Sequence, residues 1–100
     1  MFIVTYRYNL SPEKSRGYIT LEQKAIQIYL EHGYLGVEIY RHHQNPRKWM
    51  EINKYHHKKH YEDVTAAVDG DPRIDGLCEE FLGLFEQGNA PQKDTYLRML

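Results

Sequence analysis

Residues 36–55, GVEIYRHHQNPRKWMEINKY, read as two β-strands joined by a turn. From Val37 to His42 the side chains alternate, with Val37, Ile39 and Arg41 opposite Glu38, Tyr40 and His42. Gln44-Asn45-Pro46-Arg47 carries turn chemistry, because asparagine bonds to its own backbone and proline fixes φ. Trp49 to Tyr55 alternates again: Trp49, Glu51, Asn53 and Tyr55 share one face, Met50 and Ile52 the other. So short a connection between two strands makes an antiparallel hairpin.

The flanking segments build on that hairpin. Phe2–Tyr8 is a β-branched and aromatic run with Phe2, Val4, Tyr6 and Tyr8 on one face and Ile3, Thr5 and Arg7 on the other. Ser11-Pro12 predicts a helix start, with Ser11 as cap and Pro12 in the first turn. The helix is expected to run to about His32 and stop at Gly33. At 100° per residue, Tyr18, Leu21, Ala25, Ile28 and Tyr29 share one broad apolar arc, and Glu22 falls in its middle. After the hairpin, His57–Val68 turns helical, with His57, His60, Tyr61, Val64 and Val68 on one side. Asp69-Gly70-Asp71-Pro72 breaks the helix, and an apolar stripe from Ile74 to Phe85 restarts it. Gly88–Pro91 reads as a loop and Asp94–Leu100 as a last strand. The order β-α-β-β-α-β, with the second helix broken, predicts an α+β, ferredoxin-like sandwich with an antiparallel sheet, one domain over residues 1–100.

The composition sets limits on partners. With 13 basic against 14 acidic residues there is no global attraction to nucleic acid or to an anionic membrane. The basic-Gly-aromatic signature of an RNA-binding sheet is absent, so nucleic acid is not an expected partner. Neither a signal peptide nor an apolar run long enough to span a bilayer is visible. The one cysteine, Cys78, allows no intrachain disulfide, which fits a reducing compartment, and a cytoplasmic location is expected. Cys78 lies within the Leu77–Phe81–Leu84 stripe and reads as a buried small hydrophobe.

The segment GYLGVEIYRHHQNPRKWMEINKY resembles the middle of the antibiotic-biosynthesis-monooxygenase-like proteins of the dimeric α/β-barrel superfamily. The resemblance rests on Gly36, Asn45-Pro46, Glu51 and Tyr55, and HYEDVTAAVDGDPRI downstream is similar to their helical part. It implies two subunits packed sheet against sheet into a barrel, a homodimer, each with a cavity between sheet and helices. Some such proteins oxidise aromatic substrates without a cofactor and some degrade haem. The tryptophan and histidine often used by the oxygenases have no matched position: Trp49 opens its strand, and the histidines cluster at a helix start.

Polar residues on apolar faces are the candidate chemistry. Both helices of a ferredoxin-like domain pack on one sheet face, so Glu22 can converge with His57, His60 and Tyr61. A carboxyl shielded from water is raised in pKa and can serve as a general base on a phenol or enol. Glu22, His57 and His60 are therefore the catalytic candidates, and Tyr6, Tyr61 and Trp49 the ligand-binding ones. No metal site is expected, because the run H-H-K-K-H lacks an HExxH glutamate and its two lysines oppose a dication. The expected function is small-molecule binding, with a cofactor-independent monooxygenase acting on an aromatic or enolisable compound as the leading activity. The alternatives are a non-catalytic ligand-binding or stress-associated dimer, and a haem-binding protein with His57 or His60 as axial ligand.

Overall fold

The computed structural model describes residues 1–85 and 90–100. Strand β1 (Phe2–Asn9) leads through a single 3-10 turn (Pro12–Lys14) into helix α1 (Ser15–Glu31). Strands β2 (Gly36–Arg41) and β3 (Lys48–Tyr55) form the hairpin, followed by α2 (Lys58–Asp69), α3 (Ile74–Leu82) and β4 (Gln92–Leu97). The sheet order is β2-β3-β1-β4, with every neighbouring pair antiparallel. This is the α+β, ferredoxin-like plan expected from the sequence.

The helices lie on one face of the sheet. Phe2, Val4 and Tyr8 of β1 and Glu51, Asn53 and Tyr55 of β3 are buried on that side. On the opposite face Ile3, Met50 and Ile52 are half-buried, and Tyr40 and Tyr96 are about half exposed, at 48% and 45%. The apolar side chains under the helices form two clusters. One gathers Val4, Ile28, Tyr55, Val64, Val68 and Ile74. The other gathers Tyr8, Leu10 and Tyr18, with Trp49, Phe81 and Phe85 packed around it. Tyr6 borders both, and a cavity opens beside it.

The end of α1 follows from its sequence. Gly33 adopts φ +98, a left-handed conformation that costs a Cβ-bearing residue energy, and the Tyr34 N–H then returns to the Tyr29 carbonyl at 3.1 Å. A polar clasp fixes the break between α2 and α3: Arg73 bonds Asp71 at 2.7 Å and Glu31 at 2.5 Å, and His32 bonds Asp71 at 3.0 Å. The tail of α1 is thereby tied to the break.

Several boundaries differ from expectation. Ser11 makes no side-chain capping bond; the chain takes a 3-10 turn first, and the α-helix starts at Ser15. β4 spans Gln92–Leu97 rather than Asp94–Leu100, because its partner β1 begins at Phe2, which lies opposite Leu97. The last rung is the Arg98 N–H to the Met1 carbonyl, at 2.9 Å. α3 ends at Leu82, and Leu84 and Phe85 follow in turns, where Phe85 still packs edge-on against Tyr8 at 5.4 Å. Of the loop read at 88–91, Gly88 and Asn89 lie outside the described residues. Cys78 is exposed, not buried, because it borders the open space between α3 and the sheet and does not pack into the core.

Candidate active site

A cavity of about 440 Å³ lies between the sheet and the three helices. Its walls are largely apolar, from Val4, Leu21, Ile26, Ile74, Leu77 and Phe81 among others. Two carboxyls enter it from opposite sides. Glu22 comes from the middle of α1, one turn after Tyr18, on the stripe that the helix must turn toward the sheet. Glu51 comes from β3, on the face it shares with Asn53 and Tyr55.

The two acids have different surroundings. Both Glu51 oxygens are bonded: Tyr18 Oη donates to Oε2 at 3.2 Å, and Asn53 Nδ2 donates to Oε1 at 3.1 Å. The Tyr18 hydroxyl in turn is hydrogen-bonded to Tyr8. No side-chain hydrogen bond to Glu22 is formed among the described residues. Burial raises the pKa of Glu22, the charge of Glu51 raises it further, and it reaches about 8. Burial also raises Glu51, while its bonds from Asn53 and Tyr18 favour the ionised form. Burial therefore favours the protonated form of Glu22, and the adjoining pair resists carrying two charges at once. Burial pushes the Tyr18 phenol well up, so its hydroxyl remains a donor.

Tyr6 and Tyr61 line the cavity. Tyr61 Oη accepts a bond from Lys93 Nζ at 2.5 Å. Trp49 does not reach this space. It packs edge-on against Tyr18 with centroids 5.3 Å apart, and its indole N–H has no partner among the described residues. Trp49 borders a more open depression of about 580 Å³ at the hairpin end, shared with Arg7, Tyr40 and Lys48.

His57 and His60 do not line the cavity either, so the meeting of Glu22 with these imidazoles does not occur. His57 is the N-cap of α2, its Nδ1 accepting the His60 N–H at 3.1 Å. His60 Nδ1 accepts the His56 N–H at 2.9 Å, and its Nε2 donates to the Gly33 carbonyl at 2.9 Å. Both nitrogens of a neutral His60 are thus engaged, leaving no lone pair for a haem iron while these bonds hold. The physical reason is position: both histidines precede or begin the first turn of α2, where orphan backbone N–H groups need acceptors. Among the described residues no three His, Cys, Asp or Glu side chains converge on a metal position.

Glu51, Asn53, Tyr18 and Lys93 belong to the site although sequence reasoning gave them no role in it. The alternation of β3 had already placed Glu51 and Asn53 on the face of Tyr55. Lys93 has no such signal, since it precedes the alternating stretch Asp94–Leu100.

No family model and no curated protein matches the chain by sequence. Solved structures do match in shape. A protein from Nitrosomonas europaea described as a candidate antibiotic biosynthesis monooxygenase has a TM-score of 0.76 at 9% identity and covers 100% of both chains. SnoaB from Streptomyces nogalater, a cofactor-independent oxygenase, has a TM-score of 0.72 at 9% identity, covering 99% of this chain and 93% of that one. This chain has the fold of the antibiotic-biosynthesis-monooxygenase-like proteins. The monooxygenase-like fold extends to proteins of other description. A NIPSNAP domain protein from Burkholderia xenovorans has a TM-score of 0.77 at 11% identity, covering 98% of this chain and 94% of that one. The chemistry of the site must therefore come from this chain's own residues.

Proposed function

We propose that the protein is a homodimeric, cofactor-independent oxygenase acting on an aromatic or enolisable compound. The observation that carries this is Glu22, a buried carboxyl facing an apolar cavity with its pKa raised to about 8. Loss of its proton makes it a base strong enough to deprotonate an acidic enol or phenol. The resulting anion can give electrons to dioxygen directly. In the overall reaction a ring CH2 becomes C=O, one oxygen atom enters the product and the other leaves as water. The substrate supplies all four electrons, so no external reductant is required. The fold shared with SnoaB, a cofactor-independent oxygenase, supports the same reading.

The homodimer is supported by the uncovered sheet face, where Ile3, Met50, Ile52 and Tyr40 form an apolar surface. Oxygen uptake with anthrone, an enolisable aromatic ketone, tests the activity. Uptake above the spontaneous rate that is lost in Glu22→Gln supports it; uptake unchanged by Glu22→Gln removes Glu22 from the reaction. A second reading, a non-catalytic ligand-binding dimer, is favoured by the two protein donors already held by Glu51. Binding without oxygen uptake would assign that role.

A further inference from the structure

The strand register sets three cavity groups in one row across the sheet. Tyr6 on β1 lies opposite Glu51 on β3 and opposite Lys93 on β4. Neighbouring strands are about 4.8 Å apart, so Lys93 and Glu51 stand about 10 Å from each other at the backbone, with the Tyr6 ring between them. Glu51 is buried and Lys93 is exposed, so the row runs from the cavity floor to its mouth.

Lys93 is the one cation among the described residues lining the cavity. It pairs with no carboxylate among the described residues. Its ammonium donates to Tyr61 Oη at 2.5 Å and lies 5.2 Å from that ring's centre. The ammonium thus lies beyond the phenol oxygen, and this one hydrogen bond holds the cation in place without neutralising it. The neighbouring Asp94 falls on the other face by alternation, in register with Thr5. A positioned, uncompensated charge at the end of an apolar cavity is a recognition element for an anion.

Resting on the reading of the cavity as a substrate site, we infer that the ligand is a rigid aromatic acid: its anionic group binds Lys93 and its hydroxyl or enol lies toward Glu22 and Glu51. Tyr6, between the two ends, supplies a ring on which the aromatic frame packs. The single positive charge selects one anionic group, and the separation along the row places that group at the far end of the frame from the reacting hydroxyl.

The test uses two fluorescent probes of equal shape, 6-hydroxy-2-naphthoate and its neutral counterpart 6-hydroxy-2-naphthamide, titrated into the full-length protein. Wild type is expected to prefer the naphthoate by about tenfold, the scale of one charge-assisted hydrogen bond. Lys93→Gln should abolish the preference while leaving naphthamide binding unchanged. Lys93→Arg should restore it, and Lys24→Gln on the exposed side of α1 should leave it intact. Equal affinity of wild type for the two probes overturns the inference. So does an equal loss of both in Lys93→Gln, or the failure of either probe to bind. These readouts need no turnover, so a charge preference without oxygen uptake would retain the ligand class and remove the oxygenase reading.

Discussion

The Tyr18 hydroxyl reaches across from α1 to donate to Glu51 Oε2 on β3, at 3.2 Å, although the acid one turn further along its own helix is Glu22. The bond distinguishes the two carboxyls: Glu51 receives donors that favour its ionised form, and Glu22 is left to face the cavity. Tyr18→Phe should therefore destabilise the fold by about 1–3 kcal/mol, because the Tyr8 hydroxyl also loses its buried partner. Loss of the donor destabilises states in which Glu51 is ionised, so Glu51 should titrate at a higher pH in the variant than in wild type. Urea unfolding measures the first effect and an NMR titration of the Glu51 carboxyl the second.

The pH dependence of activity follows from Glu22. Its carboxyl is raised to about 8, so as a base it is mostly protonated at pH 7 and ionises as the pH rises. Oxygen uptake with anthrone, corrected for the spontaneous rate, should climb through about pH 8 and level off above it. Glu22→Gln should give a flat profile. A wild-type profile that is flat from pH 6 to pH 10 would separate the activity from Glu22.

The same shift makes stability depend on pH. A carboxyl whose pKa is raised on folding stabilises the folded state most at pH values below its unfolded pKa, in the ordinary carboxylate range. That advantage is lost as the pH rises through about 8. Wild type should accordingly lose on the order of 2–4 kcal/mol from this group between about pH 4 and pH 9. Glu22→Gln should lose much less, and so gain relative to wild type at alkaline pH. Denaturant midpoints at the two pH values check the sign.

Ile52 sits on the uncovered sheet face, opposite Thr5 on β1 and Glu38 on β2. In a sheet-to-sheet dimer, Ile52→Asp would bury a charge without a partner. The expected outcome is a halved mass by light scattering at micromolar concentration, with circular dichroism unchanged. A wild-type mass of one chain would refute the barrel arrangement.

His60 ties the start of α2 to the turn after α1 through its bonds with the His56 N–H and the Gly33 carbonyl. His60→Ala should lower stability by about 1–2 kcal/mol. Naphthoate affinity and oxygen uptake per folded molecule should stay within twofold of wild type, measured well below the unfolding temperature. A loss of uptake with unchanged stability would return His60 to a catalytic role.

What the chain alone determined is what depends on local period and local chemistry. Alternation in Phe2–Tyr8 and Trp49–Tyr55 set the sheet faces, the Asn45-Pro46 turn set the hairpin, and the Asp69–Pro72 break set the divided helix. These yielded the element order and hence the ferredoxin-like plan, and the polar interruption of the α1 stripe singled out Glu22. The tertiary structure decided who meets whom. Glu51 and Lys93 share a row with Tyr6 only because β1 lies between β3 and β4, a pairing between segments far apart in sequence. His57 and His60 share a helical side with Val64, yet their rings turn to the backbone at the helix start, where unpaired N–H groups compete for them. Periodicity reports which side of an element is apolar; register and the satisfaction of backbone hydrogen bonds decide which polar groups on that side face the cavity.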